Sequence, residues 1–137
     1  MIDLFGDALT TEMKKCSKCG EVKPISEFGK ANGANYARPH CSDCERELGR
    51  IRKKLREENK HTMPDKDYQC PICGRTEEDV RAKGGRNSGT WCCDHDHSTN
   101  KFRGWICHSC NRALGAFNED IGRMKRAMDY LQNGGKI

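Results

Sequence analysis

With 137 residues, 34% hydrophobic and 33% charged, the chain can bury one small core or two very small ones, so a stabilising device beyond apolar burial is expected. No stretch approaches the ~20 apolar residues of a membrane span, and Met1-Ile2-Asp3-Leu4-Phe5-Gly6-Asp7 offers neither a basic region nor an apolar run of signal length, so the expectation is a cytoplasmic protein with reduced thiols and no membrane partner. The net charge of +5, from 25 Lys and Arg against 20 Asp and Glu, favours a polyanionic partner only mildly, and the placement of the charges says more.

Residues 1–13 carry no cysteine and no turn signature; they read as a tail or short docking helix with no assigned function. Residues 14–63 make the first expected unit, a four-cysteine zinc ribbon followed by a basic helix. In Cys16-Ser17-Lys18-Cys19-Gly20 a tight turn can aim backbone amides at the thiolates, with Gly20 supplying positive φ. The second pair, Cys41 and Cys44, follows after 21 residues that include two expected apolar plugs, Phe28 and Tyr36, and the turn Asn32-Gly33. From there to about His61 the chain reads as a helix with a narrow seam of Leu48, Ile51 and Leu55 at i, i+3, i+7 and charge elsewhere. Arg46, Arg50, Lys53 and Lys54 are its candidates for contact with a nucleic-acid backbone; a solvated charged face and self-pairing through the apolar seam to give a homodimer stand beside that reading. Pro64 ends the helix.

Residues 64–137 make the second unit. Its metal site opens at Cys70-Pro71-Ile72-Cys73-Gly74 and closes at Cys107 and Cys110, with 33 residues between the pairs. That insert holds a polar piece around Thr76 to Arg81 and a glycine-rich run from Gly84 to Gly89. Strands are predicted at Thr90 to Cys93 and Phe102 to Ile106, separated by the turn Ser98 to Lys101. A helix starting near Asn111 and a final helix from about Asn118 to Asn133 complete it, the latter with Ile121, Met124, Met128 and Leu131 as its core stripe.

Eight of the ten cysteines thus form four Cys-x-x-Cys pairs. A disulfide framework would suit a small secreted chain, and without that context two structural zinc ions are expected, one on Cys16, Cys19, Cys41 and Cys44 and one on Cys70, Cys73, Cys107 and Cys110. Cys92 and Cys93 read as strand thiols, one buried and one not. With four thiolates per site already available, Asp94-His95-Asp96-His97 is surplus to structural zinc. Phosphodiester hydrolysis gives it a use, since that reaction needs a base for water and a cation for the charge on the phosphate and leaving oxygen. Neighbouring side chains on a strand point to opposite faces, so Asp94 and His95 can share one centre only if the strand ends there and the backbone turns. A polar loop, or a supplementary zinc site with Cys92 or Cys93, is the bland alternative.

The run Cys70-Pro71-Ile72-Cys73-Gly74, Asp94-His95-Asp96-His97-Ser98-Thr99, Phe102-Arg103-Gly104-Trp105-Ile106-Cys107, Cys110-Asn111 and Leu114-Gly115 resembles the recombination endonuclease VII family, among the ββα-metal or His-Asn-His nucleases. The resemblance spans about residues 68–131. It implies a small, zinc-stabilised α+β fold: a ββα-metal nuclease core preceded by the four-cysteine ribbon and basic helix. It further implies a DNA endonuclease in which Asp94 and Asn111 hold one catalytic Mg²⁺ or Mn²⁺ and His95 is the general base. His97 would be an accessory that orients the phosphate or a metal-bound water, and the products would carry 5′-phosphate and 3′-hydroxyl ends. Arg103 and Lys101 become candidates for phosphate contacts. Enzymes of the family that resolve branched DNA work as pairs, which favours a homodimer, and the compact build is phage- or mobile-element-like. The competing reading is a non-catalytic double zinc ribbon that binds nucleic acid.

Overall fold

A computed structural model describes residues 12–31, 36–81 and 89–135, with side chains additionally undescribed at Ala31 and Tyr36. The chain divides into two compact units, Met1–Lys54 and Leu55–Ile137. In the first, β1 (Met13–Lys15) pairs antiparallel with β2 (Val22–Pro24), and β3 (Phe28–Ala31) pairs antiparallel with β4 (Tyr36–Cys41), with a register irregularity between Phe28 and Lys30. The core of this unit is Cys16, Phe28 and Cys41, with Ala37 and Cys44 packed against it. Burying a phenylalanine contributes roughly 1.5–3 kcal/mol. Fixing the backbone of each residue costs about 1–2 kcal/mol. Among the described residues, one phenylalanine and a few thiols therefore cannot hold some forty residues in place without cross-linking through the cysteines. Phe28 fills the expected role of a plug; the side chain of Tyr36 and the turn Asn32-Gly33 lie outside the described residues.

Helix α1 (Ser42–Glu58) starts at the second cysteine pair. Leu48 and Ile51 are half-buried, Leu55 is buried, and the charged positions between them are mostly exposed, as the i, i+3, i+7 spacing requires. The helix stops three residues short of His61. The amide N–H and the side-chain Nδ2 of Asn59 both donate to the Leu55 carbonyl, and a 3-10 turn (Lys60–Thr62) follows ahead of Pro64.

The second unit buries Cys70, Val80, Trp91, Trp105, Ile106, Cys107 and Cys110, with Tyr68, Cys92, Cys93, Phe102 and Leu114 packed around them. Both tryptophans are anchored by polar and aromatic contacts as well as by area. Trp105 Nε1 donates to Thr62 Oγ1 at 3.0 Å, Tyr68 hydroxyl donates to the Trp105 carbonyl at 2.6 Å, and Tyr68 meets Trp91 edge-on at 5.0 Å. Short helix α2 (Glu77–Val80) begins where Asp79 accepts from the amide and hydroxyl of Thr76, and it delivers Val80 to the core. The glycine-rich run is undescribed except for Gly89.

Strands β5 (Trp91–His95) and β6 (Phe102–Cys107) pair antiparallel, and α3 (His108–Ala116) packs against both. Helix α4 (Ile121–Gln132) follows. Two differences from expectation stand out. Strand β5 runs two residues past Cys93, so the acidic and imidazole groups belong to the strand itself. And the stripe on α4 is not a core: Ile121, Met128 and Leu131 are 64, 58 and 77% exposed, with only Met124 half-buried. Periodicity marks an apolar face but cannot say what covers it. The core of this unit is already closed by the two tryptophans and the thiols. The start of α4 also moves from Asn118 to Ile121, because Asn118 and Glu119 both take left-handed backbone (φ 55° each) and Asp120 caps the helix by accepting from the Arg123 amide at 2.8 Å.

Candidate active site

Each unit gathers four thiols whose sulfurs lie within 4.8 Å of one another, Cys16, Cys19, Cys41 and Cys44 in one and Cys70, Cys73, Cys107 and Cys110 in the other. Four sulfurs at about 2.3 Å from a tetrahedral centre stand roughly 3.8 Å apart. Cys16 and Cys44 are 3.8 Å apart and Cys73 and Cys107 3.7 Å, so both cages have the size of a zinc site. Amides are aimed at the sulfurs as the sequence led us to expect. Lys18 and Cys41 donate to Cys16 Sγ at 3.4 and 3.3 Å, Cys107 to Cys70 Sγ at 3.5 Å, and Cys110 to Cys107 Sγ at 3.4 Å. Burial opposes the Cys16 and Cys70 thiolates, but these amides outweigh it and bring the two groups down to about 5 and about 6. Their cage-mates move the other way: burial and the neighbouring sulfurs push Cys44 up to about 12 and Cys110 higher still. Four thiolates can coexist in either cage only around a cation, which is what zinc supplies. Cys92 and Cys93 are both half-buried against the core and, among the described residues, join no cluster of metal-binding groups.

The Asp-His run sits at the other end of the β5–β6 hairpin from the cage. The register passes from Asp94 opposite Gly104 to His95 opposite Phe102, so Arg103 is an extra residue on β6 and the ladder bulges there. Strand alternation would turn one of Asp94 and His95 outward; here both are buried, at 7 and 6% exposure. Where an end of the strand is expected, β5 continues through both residues beside a register irregularity. Asn111 follows the last cage cysteine in α3, half-buried, on the helix that packs over both strands.

His97 is exposed, its ring 4.7 Å from that of His95 and its Nδ1 3.5 Å from Glu119 Oε1. Asp96 has a different occupation. Its Oδ1 accepts from the Ser98 hydroxyl, the Ser98 amide and the Thr99 amide at 2.6, 2.7 and 3.1 Å, which closes the hairpin loop and holds its carboxyl down at about 2. Lys101 is exposed in the same loop. Arg103 faces inward to Asp94, with Nε donating to Oδ2 at 2.8 Å and Nη2 to Oδ1 at 3.1 Å, and the same guanidinium also donates to Glu119 at 3.0 and 3.4 Å. The basic candidates of α1 are mostly side chains at the surface; Arg46 pairs with Asp43, and Arg50 with Glu47 at 2.9 Å.

Glu119 carries no signal in the sequence. It reaches Arg103 because α3 ends in a turn where the Asn118 amide donates to Gly115 and the Glu119 amide to Leu114, with Asn118 left-handed as asparagine tolerates. Lys23 was likewise invisible: its ammonium donates to Cys41 Sγ at 3.6 Å and pairs with Glu21 and Asp43.

Asp94 is thus a buried carboxylate gripped by Arg103, and Asn111 lies on the helix that packs against its strand; carboxylate and amide oxygens are donors that hard divalent metals prefer. Residues 50–133 match the recombination endonuclease VII family. The chain is 30% identical to the Gene 59 protein of Mycobacterium phage D29, over 87% of this chain and 73% of that protein. It is 29% identical to the Gene 59 protein of Mycobacterium phage L5, over 88% and 74%. Among solved structures it is similar to the ββα-Me type II restriction endonuclease Hpy99I, with 25% identity and a TM-score of 0.53 over 88% of this chain; the match spans 65% of that longer chain. With the family match running from α1 through α4, the chain belongs to the recombination endonuclease VII family of nucleases and has the ββα-metal fold.

Proposed function

We propose that the protein is a divalent-metal-dependent DNA endonuclease in which His95 is the general base and Asp94 and Asn111 hold the catalytic Mg²⁺ or Mn²⁺. The observation that carries this reading is the burial of two adjacent strand residues, Asp94 and His95, beside a register irregularity. The cation, when bound, neutralises charge on the scissile phosphate and the leaving 3′ oxygen. His95 takes the proton of the attacking water at an imidazole nitrogen, the side-chain group most often used for such a transfer. The products are then a 5′-phosphate and a 3′-hydroxyl. His97, stacked edge-on against His95 and tied to Glu119, orients the phosphate. Arg103 and Lys101 contact the DNA backbone at the site, and Arg46, Arg50, Lys53 and Lys54 of α1 provide a further backbone-binding face or support a homodimer.

Zinc in the second cage sets Asn111 against the strands, since Cys107 ends β6 and Cys110 precedes Asn111 directly. Similarity to phage proteins supports an infected bacterial cell as the setting of the activity, and no helix among the described residues is long and apolar enough to cross a membrane. Zinc-loaded protein is expected to nick or linearise supercoiled plasmid with Mg²⁺ or Mn²⁺, and His95→Ala to slow it by about 10²–10⁴-fold. Intact plasmid over a range of divalent metals would favour a non-catalytic nucleic-acid-binding module instead. Equal cutting by the variant would remove His95 as the base.

A further inference from the structure

Asp94 presents a side chain only 9% exposed, and an uncompensated carboxylate at such a position is expensive. Arg103 compensates it with a two-pronged grip, the strongest geometry available to that pair. Arg103 is also the extra residue of β6, so the irregularity beside Asp94 and His95 is the one that supplies the guanidinium. The guanidinium is shared: Nη2 lies 3.1 Å from Asp94 and 3.0 Å from Glu119, and Nη1 lies 3.4 Å from Glu119. Two carboxylates against one guanidinium leave the group net negative, so a second cation is still attracted to it. Arg103 itself is 37% exposed and has room to move.

We propose that Arg103 is the resident counter-ion of Asp94 in the metal-free protein, that a divalent cation displaces it, and that Glu119 retains the displaced guanidinium beside the centre for the phosphate of bound DNA. This rests on the reading of Asp94 as a metal ligand. An ion of charge two that prefers oxygen outcompetes a single delocalised charge at Asp94. Glu119 lowers the barrier to exchange, because the guanidinium keeps one carboxylate as it leaves the other. Its position depends on two consecutive left-handed residues, Asn118, whose type tolerates that backbone, and Glu119, whose type rarely adopts it, so the fold sustains strain at the residue that makes the contact.

The test is Mn²⁺ binding to the full zinc-loaded chain without DNA, followed by electron paramagnetic resonance of the free ion. Arg103→Met and Arg103→Lys should each bind Mn²⁺ about five- to tenfold tighter than wild type, since neither side chain can make the two-pronged grip. Simple charge repulsion predicts no gain for the lysine variant, and Lys101→Met, a charge control, should change affinity less than about twofold. Glu119→Gln should alter Mn²⁺ affinity in wild type but much less in the Arg103→Lys background; equal effects in both would overturn the role given to Glu119. Asp94→Asn separates the two levels of the idea. If it binds Mn²⁺ as well as wild type, Asp94 is no ligand and both readings fall. If it loses Mn²⁺ while the two Arg103 variants bind no tighter than wild type, only the counter-ion exchange falls.

Discussion

In both units a Cys-x-x-Cys-Gly turn closes with the glycine amide on the first cysteine's carbonyl, Gly20 to Cys16 at 2.9 Å and Gly74 to Cys70 at 2.8 Å, and both glycines sit at positive φ. In both, the second pair straddles the end of a strand and the start of a helix: Cys41 ends β4 before α1, and Cys107 ends β6 before α3. Each unit therefore presents an antiparallel hairpin and a helix locked by a thiolate cage. They diverge in what the hairpin carries. The described part of β3 and β4 offers Phe28 to a core of thiols, whereas β5 and β6 place a buried carboxylate and imidazole at a bulge, beneath a helix bearing Asn111. A caged strand-strand-helix module is thus a scaffold that carries chemistry only where the strand register is broken beside acidic and imidazole side chains.

Removing the cages one at a time breaks this comparison most severely. Cys107→Ser with Cys110→Ser should lower zinc content from two to one per chain, unfold the second unit as judged by near-ultraviolet tryptophan dichroism, and abolish cleavage. Cys16→Ser with Cys19→Ser should lose the other zinc but leave the tryptophan signal, and reduce DNA affinity more than the rate of the bound complex. If both double variants lose the tryptophan signal equally, the units do not fold independently. Next in size is the core. Trp105→Ala should destabilise the second unit by about 3–5 kcal/mol in denaturant titrations of zinc-loaded protein, through lost area and the lost indole hydrogen bond to Thr62. The smallest effect belongs to the hairpin loop. Asp96 has its carboxyl held near 2 by the Ser98 hydroxyl and the Ser98 and Thr99 amides, below its ordinary value of 3.8. Its contribution is therefore present above about pH 4 and lost as the pH falls toward 2, and Asp96→Asn should flatten that stretch of the stability profile.

Much of the scaffold was legible because its signals are local. Cysteine spacing names both cages, Gly20 and Gly74 announce the turns, and Leu48, Ile51 and Leu55 give the seam of α1 at the right period. The Asp-His run was legible as chemistry out of place in a zinc ribbon. Less visible were features that depend on a partner distant in sequence. Asp96 looked equivalent to its neighbours until the loop showed it bonded to Ser98 and Thr99. Arg103 read as a basic residue for phosphate, and its grip on Asp94 follows from register, which one skipped residue decides. The α4 stripe misled because a helical period reports an apolar face without reporting burial.

By itself, then, the sequence determined the ligands, the turns that aim amides at them and the residue types available for hydrolysis, since each depends on chemistry within a few positions along the chain. Tertiary structure alone decided that Asp94 and His95 are both buried, that Arg103 and Glu119 form a charge network with Asp94, and that Asp96 and α4 lie apart from the buried centre and core. The physical reason is that strand pairing, not strand composition, sets which way a side chain points, and a bulge of one residue reverses it.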